Sequence, residues 1–206
     1  MRFFTADQHF GHANILKFQP ENRVDGRGRP FKSVGHMDDF LVQRWNEVVS
    51  EGDEVYCVGD FSYKANTTRE VLPRLKGRKF LIVGNHDPFF KRVVNGKINE
   101  ARELAREIGF SELYINLDLE LPGVGQVHLS HFPYHPENVA ELTDYDLRYL
   151  HLRPKVGQEL CLFHGHVHSQ WRQHRYGDQP MMVNVGVDMW GLQPVPEQAL
   201  VDLMAG

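Results

Sequence analysis

The chain is poor in what would mark it as secreted, membrane-embedded or built on disulfides. Of its 206 residues only Cys57 and Cys161 are cysteines. Both sit inside apolar runs, which predicts buried structural thiols rather than a disulfide or a ligand pair. No hydrophobic run approaches the ~20 residues of a membrane helix. Arg2-Phe3-Phe4-Thr5-Ala6 lacks the basic segment and apolar stretch of a leader peptide, so a cytoplasmic location is the expectation. Positive charge is not in excess: 23 Lys and Arg stand against 27 Asp and Glu, a formal −4. That balance argues against an extended nucleic-acid surface. Repeats and low-complexity tracts are absent, and residues 1–206 are expected to form a single domain, with 41% hydrophobic residues to fill one core.

What the chain does have is histidine, 12 in all, and an ordered set of histidine and acidic clusters. These are Asp7-Gln8-His9, Gly59-Asp60, Gly84-Asn85-His86-Asp87, His131, and His164-Gly165-His166-Val167-His168. Four of the five follow apolar runs that read as strands, which would deliver the clusters to one edge of a sheet.

The intervening segments alternate strand and helix. Phe3 to Ala6, Val55 to Val58 and Phe80 to Val83 read as buried strands. Residues 17 to 32, rich in Pro and Gly, read as an exposed loop near the clusters. Ser33 is a plausible N-cap for an amphipathic helix carrying Met37, Phe40, Leu41, Trp45 and Val48. Thr67-Thr68-Arg69-Glu70 offers a capping box for a short helix interrupted by Pro73 and closed by Gly77. Ile98, Ala101, Leu104, Ala105 and Ile108 mark another helix, capped by Gly109. In the second half the apolar residues at 113, 115, 117, 119 and 121 alternate with polar ones and predict one half-buried strand. Pro122-Gly123 turns it toward a partner at Gln126 to Ser130. Leu160 to Phe163 and Met181 to Val185 add strands, and Glu197 to Met204 closes with a helix. The order implies an α/β (α+β) chain of mixed sheets with helices outside.

Imidazole together with carboxylate suits Mn, Fe, Zn or Ni, whereas all-oxygen sets suit Mg or Ca and thiolates suit structural zinc. Because no cysteine joins the clusters, they point to catalysis. Asp7 and His9 are two apart, so on an extended strand end both side chains turn the same way. Gly59 lets the chain approach closely before Asp60, and a carboxylate can bridge two cations. Asn85 offers a neutral amide oxygen while the adjacent His86 is left to aim elsewhere. His166 and His168 repeat the every-other-residue spacing and could serve one ion or two. Each cluster alone is a weak sign; their order is the stronger one.

In that order the clusters resemble the calcineurin-like metallophosphoesterase superfamily, from residue 7 to residue 168. Asp7-x-His9-Phe10-Gly11-His12, Arg29-Pro30-Phe31, Trp45-Asn46 and Asn184-Val185-Gly186-Val187-Asp188 with Trp190 look like its small, uncapped bacterial and phage members. The resemblance implies a four-layer αββα sandwich of two mixed β-sheets flanked by helices. It implies Asp7, His9, Asp60 and His168 around one divalent ion and Asp60, Asn85, His131 and His166 around a second, with Asp60 shared. Manganese is the first expectation for both ions, with Fe, Ni or Zn as alternatives. Protein serine/threonine phosphatases carry a second aspartate where this chain has Tyr63, which argues against a phosphoprotein phosphatase and leaves Asp87 as the candidate partner of His86.

The implied reaction is hydrolysis of a small phosphodiester or phosphomonoester, nucleotide-derived esters included, by in-line attack of metal-bound hydroxide from a bridging or terminal water. His86 would be the general acid or the phosphate-stabilising group. His12, Arg29 and His164 are candidate substrate contacts. Phe10, Phe61, Phe132 and Trp190 could stack on a base, though core packing explains them at least as well. A nuclease or cyclic-nucleotide phosphodiesterase is the enzymatic alternative, and a non-catalytic protein-binding scaffold the other; the presence of His86 with all seven inferred ligands speaks against the scaffold.

Overall fold

A computed structural model of the chain describes residues 1–136, 147 and 149–205. Two five-stranded mixed sheets face each other. The first contains β1 (Arg2–Thr5), β2 (Glu54–Cys57), β3 (Arg78–Ile82), β4 (Glu112–Tyr114) and β10 (Val195–Pro196), in the order β10-β1-β2-β3-β4. The second contains β5 (Asn116–Leu121), β6 (Gly125–Ser130), β7 (Cys161–His164), β8 (Gln173–His174) and β9 (Met181–Asn184), in the order β5-β6-β7-β9-β8. β1 to β4 run parallel, as do β6, β7 and β9, while β10, β5 and β8 pair antiparallel at or near the edges.

The strand sequences explain the layering. In β1 to β3 successive apolar residues point to opposite faces, and both faces are covered. Phe3, Val55, Cys57 and Leu81 enter a core with α2 (Val34–Val48), α3 (Ala65–Val71) and α5 (Ile98–Ile108). Phe4, Tyr56 and Ile82 meet Leu121, Val127, Leu129, Cys161, Phe163 and Val183 between the sheets. On the outer face of the second sheet Leu162 and Met182 pack with Tyr134. Short helices α1 (Ile15–Phe18) and α4 (Phe90–Val94) lie in loops, and α6 (Glu197–Ala205) ends the chain, its Leu200 buried between the sheets.

Ser33 caps α2 as its sequence predicts, its Oγ accepting the His36 amide at 3.2 Å, and Gly109 ends α5 with φ of 121°. Both cysteines are buried free thiols. Three expectations change. The alternating stretch from residue 113 to 121 is not one strand: it breaks at the half-exposed Ile115, so that Leu113 serves the helix-side core and Leu117, Leu119 and Leu121 the inter-sheet core. The pattern of alternation survives a change of sheet, and so could not reveal it. α3 begins at Ala65, before the expected capping box; Thr68 lies inside it and turns its hydroxyl to the Lys64 carbonyl and Ser62. The 17–32 segment is only partly exposed, because Phe31 and the whole of Arg23 are buried.

Candidate metal centre

The carboxyl ends of β1, β2, β3, β6 and β7 open onto one edge, where ligands of parallel sheets are generally held. Beyond its last ladder pair the chain continues to zip together: the Asp7 amide donates to the Gly59 carbonyl, His9 to Asp60 and Phe10 to Phe61. The Ala6 amide meets Val185, and the Val187 amide meets Ala6, which ties the first sheet to the second. The seven expected ligands, Asp7, His9, Asp60, Asn85, His131, His166 and His168, therefore come from five strand ends to one place.

Holding them there strains the backbone. Among the described residues six non-glycines have left-handed φ, and five are expected ligands: Asp7 (58°), His9 (54°), Asp60 (55°), His166 (73°) and His168 (49°). Each such residue costs about 1 to 2 kcal/mol. That cost is concentrated where side chains must converge. The glycines beside the clusters permit close approach. A Cβ on Gly59 would stand 2.3 Å from His131 Nδ1, and one on Gly84 would stand 2.3 Å from Asp60 Oδ1.

The ligand atoms fall into two overlapping groups. Asp7, His9 and His168 offer atoms within 4.8 Å of one another, and so do Asp7, Asp60 and His131. Asp60 Oδ2 lies 3.7 Å from His9 Nε2 and 3.4 Å from His131 Nε2. Asn85 Oδ1 lies 3.1 Å from both His131 Nε2 and His166 Nδ1. Asp60 thus touches histidines of both groups, and Asp7 reaches both as well.

In His131 and His168 the second ring nitrogen is engaged in a way that aims the ligating one. His131 Nδ1 is 3.0 Å from the Val58 carbonyl, to which it donates, leaving Nε2 to face the cluster. His168 Nδ1 donates to Asp188 Oδ2 at 2.8 Å. Asp188 Oδ1 is 2.7 Å from Arg23 Nε, and the same guanidinium donates to the Asp7 and Gln8 carbonyls. Neither Arg23 nor its role was legible in the sequence, where it is one cation in a polar loop. Asp188 was visible only inside the late stretch of the family resemblance.

The charge pattern is that of a site built for cations. Burial pushes the Asp7 carboxyl up, with His168 and His131 opposing. Burial would also raise Asp60, but the His131 charge and hydrogen bond hold it well below the usual carboxylate range. Burial works against a charged His131, yet the Asp60 carboxylate pushes it up to about 9. Burial drives His9 and His166 well down, which keeps both imidazoles neutral and able to ligate. Both ring nitrogens of His9 are buried without a hydrogen-bond partner among the described residues. Such orphaned donors and acceptors are costly unless something else binds them. Four imidazoles, two carboxylates and one amide oxygen are a donor set suited to divalent transition metals.

His86 stands at the rim. It is half-buried, its amide donates to Asp60 Oδ1 at 2.8 Å, and its ring centroid is 5.4 Å from that of His9. Asp87 serves differently from the expected partner of His86. Its Oδ2 accepts the Gly84 and Asp60 amides at 2.8 and 3.0 Å, and its Oδ1 accepts Phe61 at 2.9 Å and Ser62 at 3.4 Å. The carboxylate clamps the loop after β2 onto the loop after β3. His164 is fully buried, with Nδ1 donating to the Gly165 carbonyl at 2.6 Å and its ring 4.6 Å from Trp171, so it is a core histidine rather than a substrate contact. Burial pushes it down to about 3. Arg29 is exposed and paired with Asp25 at 2.7 Å, and none of its described contacts reaches the cluster. His12 does border the site, 6.0 Å from His86 between ring centroids. Phe10, Phe61 and Phe132 are buried, and Trp190 turns its Nε1 to the Asn184 carbonyl, so packing accounts for all four.

The sequence pattern described as the calcineurin-like phosphoesterase superfamily domain matches residues 33–205. The gene 66 protein of Mycobacterium phage D29 is 31% identical over 95% of this chain and 92% of its own length. An uncharacterized protein of Methanocaldococcus jannaschii is 40% identical over 42% of this chain and 47% of its own. The crystal structure of a protein of unknown function from Aquifex aeolicus superposes with a TM-score of 0.66 at 25% identity, covering 98% of both chains. The family match begins after Asp7 and His9, yet it is the β1 end that carries both into the centre.

Proposed function

The chain belongs to the calcineurin-like phosphoesterase superfamily and is a phosphoester hydrolase, and from that premise we propose that it is a dinuclear enzyme acting on a small phosphodiester or phosphomonoester. The observation that carries the reading is the convergence on Asp60 Oδ2 of His9 from one side and His131 from the other, at 3.7 and 3.4 Å. In this reading Asp7, His9, Asp60 and His168 hold one ion and Asp60, Asn85, His131 and His166 the other. When bound, two divalent ions, manganese first among Mn, Fe, Ni and Zn, would supply a strong nucleophile from water at neutral pH and neutralise phosphoryl oxygens.

The chain's own residues do the rest. Asp188 fixes the tautomer of His168 and Val58 that of His131, so neither ring needs to reorganise when substrate arrives. Asp87 keeps the Asp60 and Gly84 loops in register. His86, outside the ligand set with its backbone pinned by Asp60, is placed to hydrogen-bond a phosphoryl oxygen or to hand a proton to the leaving oxygen. Buried, unlinked Cys57 and Cys161 accord with a reducing cytoplasmic setting. The charge balance supports this substrate class: a formal net charge of −4 favours small esters over long nucleic acids.

The test is a panel of aryl monoesters, aryl diesters and nucleotides on metal-stripped protein reconstituted separately with Mn, Ni, Zn and Mg, with metal content measured by elemental analysis. Two ions per chain and turnover are expected. Two ions without turnover of any ester would point to the scaffold, and salt-dependent binding of single-stranded nucleic acid to the nuclease.

A further inference from the structure

The aromatic residues most prominent in the sequence are spent in packing, whereas Tyr63, three residues beyond Asp60, is 51% exposed. Its ring lies 5.3 Å from that of His12 at an interplanar angle of 15°, a stacked pair. The same ring is 6.2 Å from His86, and His12 is 6.0 Å from His86 and 5.5 Å from His9. His12 and Tyr63 therefore form a wall beside the residue placed for leaving-group chemistry. With His12 stacked against it the Tyr63 ring has its plane set, and about half of the residue is open to solvent and so accessible to a ligand. A ring held this way is suited to offset stacking at centroid distances of about 4.5 to 7 Å. Beside His166, Phe132 and Tyr149 pack on one another at 5.5 Å and on that imidazole.

We propose that Tyr63, backed by His12, is a specificity-determining platform that stacks a planar aromatic ring carried by the leaving group, so that aromatic phosphate esters are favoured over aliphatic ones. The inference rests on the phosphoesterase reading and on His86 standing at the leaving oxygen. Whatever departs from that oxygen is then delivered to the side where Tyr63 waits. Stacking accepts any planar ring because every such ring has a π-face, so the platform selects for aromaticity and not for one base.

The experiment compares wild type, Tyr63→Ala and Tyr63→Phe, each reconstituted with metal, on phenyl and butyl phosphate and on diphenyl and dibutyl phosphate. The quantity read is the ratio of kcat/KM for the phenyl ester to that for the butyl ester, normalised to wild type so that intrinsic leaving-group reactivity cancels. In Tyr63→Ala the ratio is expected to fall about tenfold or more, chiefly through KM, and in Tyr63→Phe to be restored. A ratio unchanged in Tyr63→Ala, or equally lost in Tyr63→Phe, overturns the platform. Should wild type hydrolyse none of the four, the phosphoesterase reading fails on its own account. Stacking is then read by calorimetry of phenyl and butyl phosphate with metal-loaded protein. Wild type must bind the phenyl compound more tightly and Tyr63→Ala must not; equal or undetectable binding of the two overturns the proposal.

Discussion

Arg23 and Asp188, 165 residues apart, form an ion pair of 2.7 Å in which neither side chain is exposed to solvent. The pair stands behind both ends of the ligand set, because Arg23 donates to the Asp7 carbonyl and Asp188 accepts from His168. Breaking such a pair from one side leaves a charge buried alone. Arg23→Ala is therefore expected to lower unfolding free energy in urea by about 3 to 5 kcal/mol. Asp188→Asn keeps the shape but weakens the hold on His168, and should cost roughly 10- to 100-fold in metal affinity by calorimetric titration. Wild-type affinity in Asp188→Asn would show that His168 needs no orienting partner.

His86 and Asp60 should separate chemistry from metal binding. His86→Ala removes no ligand, so metal content is expected to stay at wild type while kcat falls by about 10² to 10⁴. Asp60→Ala is expected to lose both ions, since its Oδ2 faces histidines of both groups. Elemental analysis decides both. Two ions retained in Asp60→Ala would rule out its bridging role, and full turnover in His86→Ala would remove His86 from the reaction.

The glycines give a sharper test of convergence than the ligands do. A methyl at Gly84 would lie 2.3 Å from Asp60 Oδ1 and 2.4 Å from the Asp60 amide nitrogen, so backbone must move. Gly84→Ala is expected to displace Asp60 and to lower both metal occupancy and the unfolding midpoint. Gly96 gives the contrasting case of backbone strain without crowding, because it sits at a positive φ that Gly84 does not adopt and its surroundings within 4 Å are open. Gly96→Ala should destabilise by roughly 1 kcal/mol and leave metal occupancy intact.

What was legible in the sequence follows from the range of each interaction. Asp7, His9, Asp60 and His131 could be read because each sits at the end of an apolar run, and strand ends of parallel sheets gather on one edge. The inter-sheet core was equally visible in the alternation of β5. The break at Ile115 was not, since the side-chain pattern stays regular while hydrogen bonding changes partner. Asp87 misled for a related reason: adjacency to His86 suggested a side-chain pair, but a buried carboxylate among backbone amides satisfies those first. Arg23 carried no local sign at all. Its burial is decided by Asp188, which the chain reaches only after every strand but β10 has formed.

Asp38 offers a pH test away from the ligands. Burial, opposed by the Gly11 amide and aided by the neighbouring Asp39 charge, pushes its carboxyl up to about 6 from an ordinary 3.8. A carboxyl raised on folding stabilises the native state fully below the unfolded value, and that contribution is lost as pH rises through the folded value. Wild type should thus lose stability from this group between pH 4 and pH 6 and feel the whole penalty at pH 7. Asp38→Asn can still accept from the Gly11 amide, as Asp38 does at 3.1 Å, yet has nothing to ionise. The variant is expected to gain on wild type as pH rises across that window. Because the side chain is partly open to water, the gain should be about 1 kcal/mol rather than the ~3 kcal/mol that two pKa units would give in full. Urea unfolding of both proteins at pH 4.5, 5.5, 6.5 and 7.5 measures it. A difference that stays flat across the series would mean that Asp38 titrates near its unfolded value and that burial at this helix start is not the controlling influence.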